Sequence, residues 1–283
     1  MEKIDRLGWA AGAAFVSYGL RVGIRVSSPE IMPRIERLLP PNAKPARGPR
    51  VQRLYSLIVS GIKVGSHVRR FNLLYADSVQ LARSKDTDSV LEILERELQL
   101  YIAEYARHRV FVHAGVVGWR GRAIIIPGRT MSGKTTLVKA LVEAGATYYS
   151  DEYAVLDEHG RVHPYLKPMS VRENGDRSAK EIRPEALGGT SGVKPLPVGL
   201  VVATGYREGA RWRPRQLLPG RAVMALLDHT VSVRRKPERA LNTLRQVVTD
   251  AVALKGVRGE ATEVAETLLR RLTEKAGRGS VVT

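Results

Sequence analysis

One stretch constrains this chain more than any other: Ile124-Ile125-Ile126-Pro127-Gly128-Arg129-Thr130-Met131-Ser132-Gly133-Lys134-Thr135-Thr136. It satisfies G-x-x-x-x-G-K-[ST] at every fixed position. It follows a branched aliphatic run and opens a helical pattern, Thr135 to Ala144, closed by Gly145. A chain with this stretch has to place a buried strand, a glycine-rich turn and a helix in immediate succession. Gly128 and Gly133 lack Cβ atoms, so the backbone there can wrap tightly and take positive φ.

The exposed N–H groups of such a turn, with the positive end of the following helix, form an anion cradle. Lys134 reaches the β- and γ-phosphates of a nucleotide as a point charge, and the Thr135 hydroxyl can ligate Mg²⁺. The expected cofactors are therefore ATP and Mg²⁺. Gly128, Arg129, Thr130, Met131, Ser132, Gly133, Lys134, Thr135 and Thr136 form the expected P-loop (Walker A) contact set.

One helix and one short strand later the chain reads Tyr148-Tyr149-Ser150-Asp151-Glu152. Strands running parallel bring their C-terminal ends to one sheet edge, which puts this acid pair near the loop. One carboxylate there can hold Mg²⁺, and another can accept a hydroxyl proton late in a loose transition state. Spacing leaves open which of Asp151 and Glu152 does which. His113, between Val112 and Ala114, lies on the strand before the loop hairpin and is read as orienting Asp151 or touching the γ-phosphate. His159 and His163 flank a turn and read as exposed.

The 283 residues are ample for a buried core, and 43% hydrophobic content excludes a disordered chain despite a net charge of +18. No apolar run of membrane-spanning length occurs. The absence of cysteine excludes disulfides, thiol nucleophiles and thiolate metal sites. Lys3 and Arg6 before the small apolar stretch Leu7–Phe15 resemble a secretion signal, but Glu2 and Asp5 interrupt it, so a cytoplasmic location is expected. Residues 1–88 read as a β-rich section: Tyr18–Val26 as a strand, Ile31–Leu39 as a helix, and Leu54–Val59 and Phe71–Leu81 as strands. Residues 89–283 read as the catalytic domain. It opens with a helix whose Ser89 and Glu92 form a capping box. The hairpin Val110–Trp119 and Arg122–Pro127 turns at Arg120-Gly121. Leu200–Gly205 reads as a strand, and helices over Gly220–Leu227, Pro237–Leu254 and Glu260–Ala276 close the chain.

Together, His113-Ala114-Gly115, the Gly128–Thr135 loop and Ser150-Asp151-Glu152 resemble the catalytic domain of HPr kinase/phosphorylase over Val110–Arg172. The resemblance implies an α/β fold akin to phosphoenolpyruvate carboxykinase. It also implies transfer of the γ-phosphoryl group to a serine. By it, Asp151 is the base, His113 its neighbour, and Thr135 with Glu152 the Mg²⁺ side, and a ring-like homo-oligomer is implied. Met169-Ser170-Val171-Arg172-Glu173-Asn174 stands where that family's phosphorolysis segment lies. Arg172 keeps its arginine as a substrate contact, while the preceding acid and following glycine are missing, so neither phosphorylase activity nor HPr as substrate is expected. The layout resembles more closely the divergent kinases of peptide-tailoring clusters, such as the lasso-peptide kinases, whose acceptor is a serine of a small precursor peptide.

The charge surplus gathers at Arg207, Arg211, Arg213, Arg215 and Arg221, then Arg234-Arg235-Lys236. It suits an acidic peptide or protein acceptor, or a solvated face. Nucleic acid is not the expected partner, since no arginine-rich arm or helix-turn-helix pattern accompanies the charge. The alternatives are a kinase for free serine or a sugar, and a nucleotide-switched binding ATPase with a nucleic acid or acidic partner.

Overall fold

The structure is a computed structural model that describes the chain except residues 1–4, 6, 49, 62, 65, 66, 69, 130, 131, 172–179 and 280–283, and except the side chains of 63, 64, 67, 68 and 275–279. The chain divides into two units, Met1–His108 and Arg109–Thr283.

In the first unit, β1 (Ala11–Ser17) and β2 (Leu20–Val26) pair as an antiparallel hairpin. Leu20, Val22, Ile24 and Val26 alternate inward, as a half-buried strand requires. The apolar stretch that resembled a signal thus supplies part of β1. After α1 (Met32–Arg37) come β3 (Lys44–Pro45), β4 (Arg53–Ile58), β5 (Lys63–Val64), β6 (His67–Val68), β7 (Asn72–Ala76) and β8 (Val79–Ser84). The main sheet has the order β3-β1-β2-β4-β7-β8, with β5 and β6 as a separate ribbon. The long helix α2 (Thr87–Tyr105) turns Val90, Leu91, Leu94, Leu98 and Ile102 inward and packs on β7 and β8. It therefore belongs to this unit, and the boundary falls after His108 rather than at residue 88. Its cap is Asp86, whose carboxylate accepts from the N–H of Asp88 and of Ser89. Ser89 sits inside the first turn instead of capping it.

The second unit is a sheet covered by helices on both faces. Its strands are β9 (Val110–Trp119), β10 (Arg122–Pro127), β11 (Thr147–Ser150), β12 (Tyr153–Leu156), β13 (Val162–His163), β16 (Val198–Tyr206), β17 (Arg215–Gln216) and β18 (Val252–Arg258); β14 (Met169–Val171) and β15 (Lys180–Ile182) form a small ribbon beside it. The order is β13-β12-β9-β10-β16-β18-β17, with β11 also on β9. Helices α4 (Pro219–Leu227) and α5 (Pro237–Asp250) cover one face through Val223, Leu226, Leu244 and Val247. Helices α3 (Lys134–Glu143) and α6 (Ala261–Gly279) cover the other through Leu137, Leu141, Val264 and Leu268. Because both faces are covered, Ala123–Ile126 are all buried, and the strand reads as an unbroken apolar run.

The C-terminal stretch departs from the sequence reading. The helix expected over Pro237–Leu254 stops at Asp250, and Val252–Arg258 is a strand inside the sheet. A short apolar run fits a buried strand and a helix equally well, and pairing with β16 decides for the strand. Among the described residues no helix is long and apolar enough to cross a membrane.

Candidate active site

Strand direction assembles the site. β10, β16 and β18 run parallel. β9 is antiparallel to β10, and β11 and β12 are antiparallel to β9, so these too run with β10. The C-terminal ends of β10, β11, β16 and β18 therefore meet at one sheet edge. This brings the Gly128–Thr135 loop, Asp151, Tyr206 and Arg258 to the same side.

The backbone of His113 and Ala114 ties three segments together there. The Gly128 N–H donates to the His113 carbonyl at 3.2 Å, the Ala114 N–H to the Glu152 carbonyl at 3.1 Å, and the His113 N–H to the His229 carbonyl at 2.8 Å. Gly115 is required by close approach: a Cβ there would lie 2.5 Å from Val138 Cγ2 on α3. The triplet His113-Ala114-Gly115 thus seats both the loop helix and the acid turn.

In the loop, Gly133 has φ +81° and caps the N-terminus of α3. A Cβ at Gly128 would meet Ser132 Oγ at 2.5 Å, and that hydroxyl is buried with no partner among the described residues. Lys134 folds its ammonium back onto the Arg129 carbonyl at 2.6 Å. Burial holds the Lys134 pKa below the usual lysine range, while the Asp151 and Glu152 carboxylates work the other way. Thr136 is exposed at the start of the helix. Thr130 and Met131 lie outside the described residues, as does Arg172.

Asp151 and Glu152 occupy the break between β11 and β12. The buried Ser150 hydroxyl accepts from the Glu152 N–H at 3.1 Å and the Tyr153 N–H at 2.9 Å, closing the turn. Asp151 Oδ2 accepts from the Thr135 hydroxyl at 3.1 Å and the Ser170 N–H at 3.4 Å, and Oδ1 lies 2.9 Å from the Tyr148 hydroxyl. Burial raises the Asp151 pKa above the ordinary carboxylate value, and the Tyr148 and Thr135 hydroxyls oppose the rise. Tyr148 has one hydrogen but faces two acceptors, Asp151 and the Lys167 carbonyl at 2.8 Å. Its help to the ionised carboxylate is therefore shared, in keeping with the net upward shift.

The His113 ring lies 4.6 Å from that of Tyr153, its register partner on β12. The Tyr148 and Thr135 hydroxyls hold the Asp151 carboxylate. Burial lowers the His113 pKa, and the Lys134 ammonium and His229 lower it further, so the ring is neutral at pH 7. His163, expected to be exposed, pairs with Asp157 at 2.7 Å, whereas His159 is exposed.

Three residues at this edge escaped the sequence reading. Tyr148 had a local signal, three positions before Asp151. His229 contributes its carbonyl to His113, and burial lowers the pKa of its own ring, with Asp228 opposing and Lys134 and Arg129 adding to the shift. Arg258 is buried and donates to the Gly133 carbonyl from 125 positions away, with no local motif to announce it.

No protein-family profile matches this chain, and no curated protein does. Among solved structures, the HPr(Ser) kinase/phosphatase from Coxiella burnetii is similar at 16% identity and a TM-score of 0.34, over 59% of this chain and 98% of that one.

Proposed function

We propose that the second unit is an ATP- and Mg²⁺-dependent kinase that transfers the γ-phosphoryl group to a serine hydroxyl of a peptide or protein. The observation that carries this reading is the 3.1 Å contact between the Thr135 hydroxyl and Asp151 at the mouth of the glycine-rich loop. It joins a metal-type oxygen donor, a carboxylate and an anion cradle in one place.

The residues fit the proposed cofactors. The Ser132 hydroxyl, unpartnered among the described residues, the close wrap of the loop that only a glycine at 128 permits, and the N–H groups opening α3 suit an anion of several oxygens. Thr135 and Glu152 offer the hard oxygen ligands that Mg²⁺ takes, with phosphate oxygens and water completing the shell. The bound ion would neutralise charge on the β- and γ-oxygens.

The chain's own groups then divide the work. Lys134 leaves the Arg129 carbonyl to hold the polyphosphate. Asp151 takes the serine proton as the serine oxygen bonds to the γ-phosphorus and the bond to the β–γ bridging oxygen breaks. Its raised proton affinity suits a proton acceptor working near neutral pH. Neutral His113 adds no positive charge to compete with Lys134 for the phosphates.

The acceptor is proposed to be acidic. The connection between β16 and β17 starts at this sheet edge and carries exposed Arg207, Arg211 and Arg213, with exposed Arg215 following in β17. Among the described residues none of the four makes an ion pair. A kinase of this type works where ATP is plentiful, which makes the cytoplasm the proposed compartment.

The test is label transfer from Mg-[γ-³²P]ATP to a serine peptide flanked by glutamates, with Asp151→Asn as control. Label on the serine, lost in the variant, is expected. Label released only as phosphate would replace the kinase with a nucleotide-hydrolysing binding protein. Label on free serine or a sugar would move the acceptor to a small metabolite.

A further inference from the structure

Arg258 is 2% exposed and sits at the C-terminal end of β18, in register with Tyr206 on β16. Its guanidinium donates to the Gly133 carbonyl at 2.8 Å and to the Gly259 carbonyl at 2.9 Å, and lies 5.4 Å from the Tyr206 ring centre. Among the described residues no carboxylate comes within ion-pair distance, and the buried Nε has no partner. A buried cation held by two carbonyl dipoles and the face of Tyr206, with the Glu260 charge acting from beyond ion-pair distance, is an expensive arrangement, kept where its position serves a purpose. Arginine cannot shed its proton to escape the expense.

The position is informative. The Gly133 carbonyl also accepts from the Leu137 N–H at 3.2 Å, so two donors pin one peptide plane. In a trans peptide the N–H points opposite to the carbonyl. Fixing the Gly133 carbonyl therefore turns the Lys134 N–H away from α3 and toward the loop. A Cβ on Gly133 would lie 2.6 Å from the Arg258 Nη2, so the arginine in this position requires a glycine there.

We infer that Arg258 is a positioning residue for polyphosphate binding: through the Gly133 carbonyl it holds the glycine-rich loop with its N–H groups turned to an anion, and it keeps beside the loop a positive charge that a bound polyphosphate compensates. This rests on the reading of the loop as a nucleotide site. It adds that the last strand of the sheet, not the loop sequence alone, makes the loop receptive.

The experiment is calorimetric titration of the full chain with Mg-ATP and, separately, with inorganic tripolyphosphate, alongside melting curves with and without tripolyphosphate. Arg258→Met should weaken both ligands about tenfold or more, as loss of a charge-assisted contact does. It should also shrink the rise in Tm that the same concentration of tripolyphosphate gives the parent, a readout that lost packing alone would leave in place. Arg258→Lys keeps charge and bulk but not the fork, and should recover part of the affinity; it decides the matter if the methionine variant does not fold. Parental affinity for tripolyphosphate in the methionine variant, or in the lysine variant when only that one folds, overturns the inference while leaving the nucleotide site intact. A parent chain that binds neither ligand overturns the nucleotide reading and this inference with it.

Discussion

Asp151 and Arg258 stand at one sheet edge on opposite sides of the β10–α3 loop, and burial treats them differently. Asp151 can answer burial by holding a proton, and its pKa moves up accordingly. Arg258 has no such escape and is satisfied by two carbonyls instead. A side chain whose protonation is adjustable suits a step in which a proton moves. One whose charge is permanent suits holding a backbone still. Under the proposed function the site divides between a chemical flank on β11–β12 and a rigid flank on β18.

The largest expected effect breaks the chemical flank alone. Asp151→Asn should lower phosphoryl transfer about 10³-fold, within the range for losing a positioned proton acceptor. Its Mg-ATP affinity should stay within a few-fold of the parent. The sign of the stability change follows from linkage. The Asp151 pKa is higher in the folded chain than in the unfolded one, so the folded chain binds more protons and loses stability as pH rises from the ordinary carboxylate value through the raised one. At pH 7 the variant should therefore melt no lower than the parent. A clearly lower Tm would make Asp151 a structural acid.

Next comes Tyr148→Phe. Removing a hydroxyl that stabilises the ionised carboxylate raises the Asp151 pKa further, so the acid limb of the rate–pH profile should move to higher pH. The loss should be largest on the acid side of the profile, up to about tenfold for a shift of about one pH unit, and shrink as the pH rises. A uniform loss at all pH values would show that Tyr148 serves packing. Ser150→Ala should act least. It removes the acceptor of the Glu152 and Tyr153 N–H groups and should lower stability by about 1 kcal/mol, read by urea unfolding, with only a few-fold change in rate. A rate loss comparable to that of Asp151→Asn would mean the turn, not the carboxyl, limits transfer.

The two flanks also differ in how far the sequence discloses them. The chemical flank was legible because its parts lie close together along the chain: a strand, a glycine turn, a helix and the next strand end at Asp151. The hairpin turn at Arg120-Gly121, both with positive φ, was equally local. The rigid flank was hidden. Val252–Arg258 joins the sheet only through pairing with β16, and its apolar residues continued the periodicity of α5 without a glycine or proline to mark the change. Arg258 then looked like one more member of a basic surplus, since burial and its carbonyl partners belong to the folded state. The boundary between the units was misplaced for a related reason: the apolar stripe of α2 names a buried face but not the sheet it will cover. His113 was singled out by its position; the junction that its backbone makes with Gly128 and His229 was not legible, because it depends on strand pairing and on a turn far along the chain.

The central claim is that the Gly128–Thr135 loop grips a magnesium nucleotide through its backbone and one ammonium. Titration of Mg-ATP into the parent and into Lys134→Ala tests it most directly. The account predicts saturable, magnesium-dependent binding by the parent, weakened about 100-fold or more in the variant. Equal affinity in the two proteins, or no binding by the parent, would contradict it.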